Sequence, residues 1–171
     1  LQDRVRAVTE GILRHNRLAP DEAVTSADVL IKNDLRGVES HGVSNGLRRY
    51  VAEYGSNKLN PTPEFKVTRE SKTTMTIDAD RALGIHVGPW AMQHAIDKAK
   101  EFGMGAVAVT NSGHLAGCGY YAMMAAEQGM IGHCMTAGGS HQTVPTFGSK
   151  PVMGTNPIAW AAPARDMPPF L

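Results

Sequence analysis

The run from Val107 to Tyr121 constrains this chain more than any other stretch. It opens as a short valine-rich apolar segment, which reads as a buried strand. It breaks at a loop holding Gly113, Gly117, Gly119 and one histidine, His114. It resumes from Tyr120 to Ala126 as a helix. A strand–loop–helix unit puts its loop at the carboxyl end of the strand, where open α/β sheets bind ligands. Glycine lets backbone approach a ligand closely. Imidazole, with an unperturbed pKa of about 6.5, can give or take a proton near neutrality. A tight turn with a surface histidine is the plainer reading, and this stretch alone does not choose between them.

The flanking sequence supplies the rest of a domain. At 171 residues, with 42% hydrophobic and 19% charged side chains, the chain can bury a core. A net charge of +1 without a basic or acidic block argues against nucleic acid or an anionic membrane as the main partner. No apolar run reaches membrane-spanning length. Cys118 and Cys134 have no metal-ligand spacing and suit a reducing, cytoplasmic compartment. The start at Leu1 and the apolar finish at Phe170-Leu171 suggest a piece of a longer polypeptide.

In chain order, Leu1, Val5, Val8, Ile12 and Leu13 fall on one helical face. Pro20-Asp21-Glu22 starts a second helix, with Val24, Ala27, Leu30 and Ile31 as its stripe and Gly37 after its end. Ser40 is placed to cap a third helix running to about Tyr54, with Val43, Leu47, Tyr50, Val51 and Tyr54 inward. That puts His41 at a helix start, where free N–H groups attract anions. Arg48 and Arg49 follow and can grip a carboxylate by paired hydrogen bonds. A plain cap and two solvated arginines explain the same residues, and without further information they are the favoured reading.

Two alternating segments, 65–70 and 73–78, read as an antiparallel hairpin. A loop at 83–89 leads into a helix with Pro89 in its first turn and Ala91, Met92, Ala95, Ile96, Ala99 and Phe102 buried, and Gly103 stops it. His86 and His94 read as ordinary loop and helix residues. After the His114 unit come a strand at 130–136, a flexible loop at 137–145, and a turn leading into a short strand near 158–162. The alternation predicts an α/β fold, with an N-terminal helical segment (1–63) followed by a mixed sheet with helices (64–171).

Several chemistries are excluded. The glycines do not follow the dinucleotide fingerprint, no phosphate-binding P-loop occurs, and no metal-binding spacing is present. Ser112 lies near His114, but the elbow of a serine hydrolase is missing and no acidic third member is identifiable. Two histidines in Gly/Ser settings and a candidate anion site suit proton transfer to a small anionic substrate.

Three motifs then occur in order: Asp34-Leu35-Arg36-Gly37 with Ser40-His41-Gly42; Asn111-Ser112-x-His114-x-x-Gly117-x-Gly119-Tyr120-Tyr121; and Gly154-Thr155-Asn156-Pro157 with Ala161-Ala162-Pro163. Together they resemble the non-Rossmann malate/L-lactate dehydrogenase family, whose relatives include ureidoglycolate, sulfolactate and diketogulonate oxidoreductases. The resemblance spans nearly the whole chain, which looks like the amino-terminal part of a longer enzyme. It implies hydride transfer between NAD or NADP and a small 2-hydroxy/2-oxo acid, with histidine as acid/base and a homodimeric assembly. His114 is the choice for the main acid/base, with His41 as its rival or as an orienting group beside Ser40. Arg48 and Arg49 are the candidate substrate-carboxylate ligands, because Asn45 stands where many relatives carry an arginine. Gly138, Gly139, Ser140, Thr155, Asn156 and Pro157 resemble positions near the nicotinamide. The competing reading is a non-catalytic fragment or dimerisation module of the same fold.

Overall fold

A computed structural model describes residues 1–139 and 141–171. Helices α1 (Gln2–His15), α2 (Pro20–Leu35) and α3 (Val43–Gly55) come first. Strands β1 (Lys66–Glu70) and β2 (Thr74–Ala82) follow, then α4 (Gly84–Phe102), β3 (Ala106–Ser112), α5 (Cys118–Ala126), β4 (Gly132–Met135) and β5 (Ile158–Ala161). The chain is therefore mixed α/β, with small sheets carried on helices.

The expected hairpin forms: β1 pairs antiparallel with β2. β3 then joins β2 in parallel, with α4 as the crossover. The sequence order suggested one sheet, but β4 pairs with β5 and the two make a separate antiparallel ribbon against α5. β3 is also not the buried strand its valines predict. It lies at an edge, with Val107 and Val109 half-buried towards α4 and the rest of the strand exposed.

Helix starts follow local chemistry. Pro20 occupies the first turn of α2, and the Glu22 carboxylate accepts a hydrogen bond from the Ala19 amide at 3.0 Å. α3 corrects the sequence reading. Ser40 does not cap it, because Glu39–His41 forms a short 3-10 turn and delays the helix to Val43. The Asp34 carboxylate, from the last turn of α2, accepts from the Val43 amide at 2.9 Å and supplies the missing cap. A methyl group on Gly42 would overlap the Asp34 carboxyl group, which explains a glycine there.

Some predicted faces are shifted. Leu1, Val8, Val24 and Phe102 are exposed. On α1 the inward stripe turns towards Val5, Thr9, Ile12 and Leu13, because the Thr9 hydroxyl closes on the Val5 carbonyl at 2.9 Å and is buried at no cost in hydrogen bonding. α4 starts at Gly84 rather than near Pro89, so His86 is helical and buried. Its Nε2 lies 3.1 Å from Glu22 Oε1. The largest core cluster joins Leu13, Leu30 and Tyr50 of the helices to Leu83, Ala116 and Tyr121, crossing the boundary expected near residue 63.

Candidate active site

α3 brings Arg49, Tyr50 and Glu53 to the loop after β3. Tyr50 is fully buried, yet its hydroxyl lies 2.7 Å from His114 Nδ1. The two residues are 64 positions apart in sequence. The loop itself is seated from below. The Gly113 amide donates to the Ala82 carbonyl at 2.7 Å, and the Tyr121 hydroxyl donates to the Leu115 carbonyl at 2.8 Å. The start of α4 presses against it so closely that a Cβ on Gly84 would come within 2.6 Å of the His114 carbonyl oxygen. Backbone, rather than a flexible side chain, therefore fixes where His114 sits.

The 3-10 turn delivers the second histidine. The His41 and His114 rings stack with centroids 5.5 Å apart and planes 25° from parallel. Ser40 Oγ lies 2.8 Å from His41 Nδ1. The Asn45 side-chain amide donates to the Glu39 carbonyl at 3.1 Å and braces the turn.

Electrostatics separates the two arginines. The Arg49 guanidinium stands 5.2 Å from the Tyr50 ring centroid. Burial, then the charge of Arg49 and then His41, push the His114 pKa down to about 4, while Glu53 opposes them. Burial raises Tyr50 to about 12, so its phenol stays protonated. Arg48 instead helps line a different groove, with Ile12, Val43, Leu47 and Val51. The structure thus joins His41, His114, Ser40 and Arg49, and leaves Arg48 on another face.

The remaining predicted positions form a second group. The Gly138 amide donates to the Thr155 carbonyl at 2.8 Å, and the Thr136 amide to the Pro157 carbonyl at 3.3 Å, so the two loops extend the β4–β5 pairing. The Asn156 side-chain amide reaches the Gly154 carbonyl at 3.5 Å. Gly139 is open on its side-chain face. Ser140 lies outside the described residues.

Sequence reasoning took Tyr50 as core only and passed over Glu53; Asp34 was quoted in the first motif but not read as the cap of α3. The signal available for Tyr50 was its type: a buried tyrosine seeks a partner for its hydroxyl.

A family model described as malate/L-lactate dehydrogenase matches residues 2–171. The chain belongs to that family. It is 44% identical to a malate dehydrogenase of Pyrococcus horikoshii over 98% of its own length and 46% of the relative's. It is 38% identical to an L-sulfolactate dehydrogenase of Methanocaldococcus jannaschii, over 88% of this chain and 43% of that one. The solved structure of the Pyrococcus horikoshii malate dehydrogenase superposes with a TM-score of 0.94, covering 99% of this chain and 48% of that one. The malate dehydrogenase of Entamoeba histolytica gives the same score at 34% identity, over 99% and 46%. The chain therefore spans slightly less than half the length of these relatives. The α/β malate/L-lactate dehydrogenase fold expected from the three motifs is the fold observed.

Proposed function

We propose that the polypeptide carrying this chain interconverts a small 2-hydroxy acid of malate or lactate type and its 2-oxo acid, using NAD or NADP as the hydride partner. The observation that carries the reading is the His41–His114 pair held beside Arg49. Family membership supports it, as do relatives named for acting on malate and sulfolactate.

In this reading His114 is the acid/base. Oxidation leaves a proton on the alcohol oxygen, and a neutral imidazole can take it. Arg49 is the ligand for the substrate carboxylate, since a guanidinium offers paired donors in one plane. A bound carboxylate also neutralises the charge that depresses His114, which restores basicity when substrate is present. His41, steadied by Ser40, orients the substrate oxygens.

The cofactor, when bound, supplies the hydride acceptor or donor. Gly138, Gly139, Thr155, Asn156 and Pro157 would hold its nicotinamide end. Thr155 brings a hydroxyl and Asn156 an amide, which fit a neutral carboxamide, and Gly139 leaves open space beside them. We also place the enzyme in the cytoplasm and as a homodimer; the two free thiols are in keeping with a reducing compartment. No helix among the described residues is long and apolar enough to cross a membrane.

The test is NADH and NADPH consumption by the family-length polypeptide offered oxaloacetate, pyruvate or a bulkier 2-oxo acid. Consumption that depends on one of these acids supports the reading. A folded, family-length protein that consumes neither cofactor with any of them overturns it.

A further inference from the structure

We infer that Tyr50 is the positioning residue of His114: its hydroxyl pins Nδ1 and leaves Nε2 as the nitrogen that exchanges a proton with substrate. This rests on the proposed acid/base role of His114.

Three observations carry it. The Tyr50 hydroxyl lies 2.7 Å from Nδ1, at the short end for such a bond. Tyr50 is fully buried on α3, with its ring packed in the main core cluster, so the hydroxyl is held in place rather than swinging in from solvent. Its neighbour one turn on, Tyr54, is equally a core tyrosine of α3, but its buried hydroxyl has no partner among the described residues. The pairing is therefore specific to position 50 and is not a general property of that helix face.

A hydroxyl suits this role. By accepting from Nδ1–H, it holds the neutral ring in the tautomer whose Nε2 carries the lone pair, and it goes on accepting from Nδ1–H once Nε2 has taken a proton. The bond to Nδ1 thus survives either protonation state of the ring. A carboxylate in the same place would accept the same bond, but its charge would favour the imidazolium. With Nδ1 engaged, the imidazole has one nitrogen free, and its plane is fixed by Tyr50 on one side and the His41 stack on another.

The experiment compares Tyr50→Phe with Tyr54→Phe in the family-length enzyme. Each removes a hydroxyl and keeps the ring. Tyr50→Phe is expected to lower kcat about tenfold, the worth of one such hydrogen bond, with KM for the acid within about twofold. Tyr54→Phe should leave both unchanged. Nitrogen-resolved NMR of the imidazole supplies a readout independent of turnover. Wild type and Tyr54→Phe should show one His114 tautomer, and Tyr50→Phe a mixture of two. Unchanged His114 ring signals in Tyr50→Phe, an unchanged kcat, or equal losses in the two variants would each overturn the inference. His114→Ala, run alongside, tells the two failures apart: if it too keeps its turnover, the acid/base reading falls, and if only Tyr50→Phe does, the positioning role alone falls.

Discussion

The imidazoles of His41 and His114 stack at 5.5 Å although one sits in a 3-10 turn and the other in the loop after β3. Two rings this close compete for one role. His114→Ala should lower turnover by about 10²–10⁴-fold while the circular-dichroism spectrum is unchanged. His41→Ala measured in parallel should cost less. A larger loss at His41 exchanges their roles, and turnover within a few-fold of wild type removes His114 from the chemistry.

The arginines give a sharper contrast. Arg49→Gln should raise KM for the 2-oxo acid roughly tenfold or more, because it deletes a charge-assisted contact. Arg48→Gln, on the face that meets α1, should leave KM within about twofold. Equal effects, or the reverse order, would move the carboxylate site off Arg49.

Acid sensitivity follows from the same histidine. His114 is held at about 4 in the folded chain, below the ordinary histidine value of about 6.5. Between these values the unfolded chain binds a proton that the folded chain does not. Stability therefore rises with pH across that window and is lost as pH falls through it. His86, lowered mainly by its burial, acts in the same direction. In His114→Gln the fall in urea midpoint between about pH 7 and about pH 4 should be smaller than in wild type. An identical fall would mean that His114 is not depressed.

Substrate should relieve the part of that depression that comes from Arg49. A non-reactive 2-oxo acid analogue pairing with Arg49 removes a charge that disfavours the imidazolium, so binding near pH 5 should draw protons from solution. Calorimetry in buffers of different ionisation heat reads the proton number directly. No uptake, or uptake that survives Arg49→Gln, would separate Arg49 from His114.

At the entry to α3, Gly42→Ala should destabilise the fold by roughly 2 kcal/mol or more, since its methyl group and the Asp34 carboxyl group cannot share the space. Asp34→Ala should cost about 1 kcal/mol, the worth of a helix cap. Thermal melts of the two variants check the order. If Gly42→Ala is harmless, the Asp34 cap is not as drawn.

Much of this was legible in the sequence because local rules decided it. Proline and acids marked the start of α2, glycines at positive φ follow α2 and stop α4, and alternation gave the β1–β2 hairpin. The misses came where distant residues intervene. Ser40 is a good cap by type, but Asp34 takes the task from another helix. The valines of β3 signal burial, yet pairing with β2 on one side only leaves the strand exposed. Tyr50 satisfies an inward stripe equally well with or without His114 at its tip. In the site, the motifs marked both histidines, whereas choosing Arg49 over Arg48 required knowing which side of α3 meets the loop.

The contact between Tyr50 and His114 closes a segment of 64 residues that includes the whole β1–β2–α4–β3 unit. Closing so long a loop costs entropy that helix formation does not. During refolding, helical signal should therefore return before the His114 environment does. The helices are then an early event and the His114 site a late one, so the environment of that imidazole is a more stringent reporter of complete folding than any measure of secondary structure.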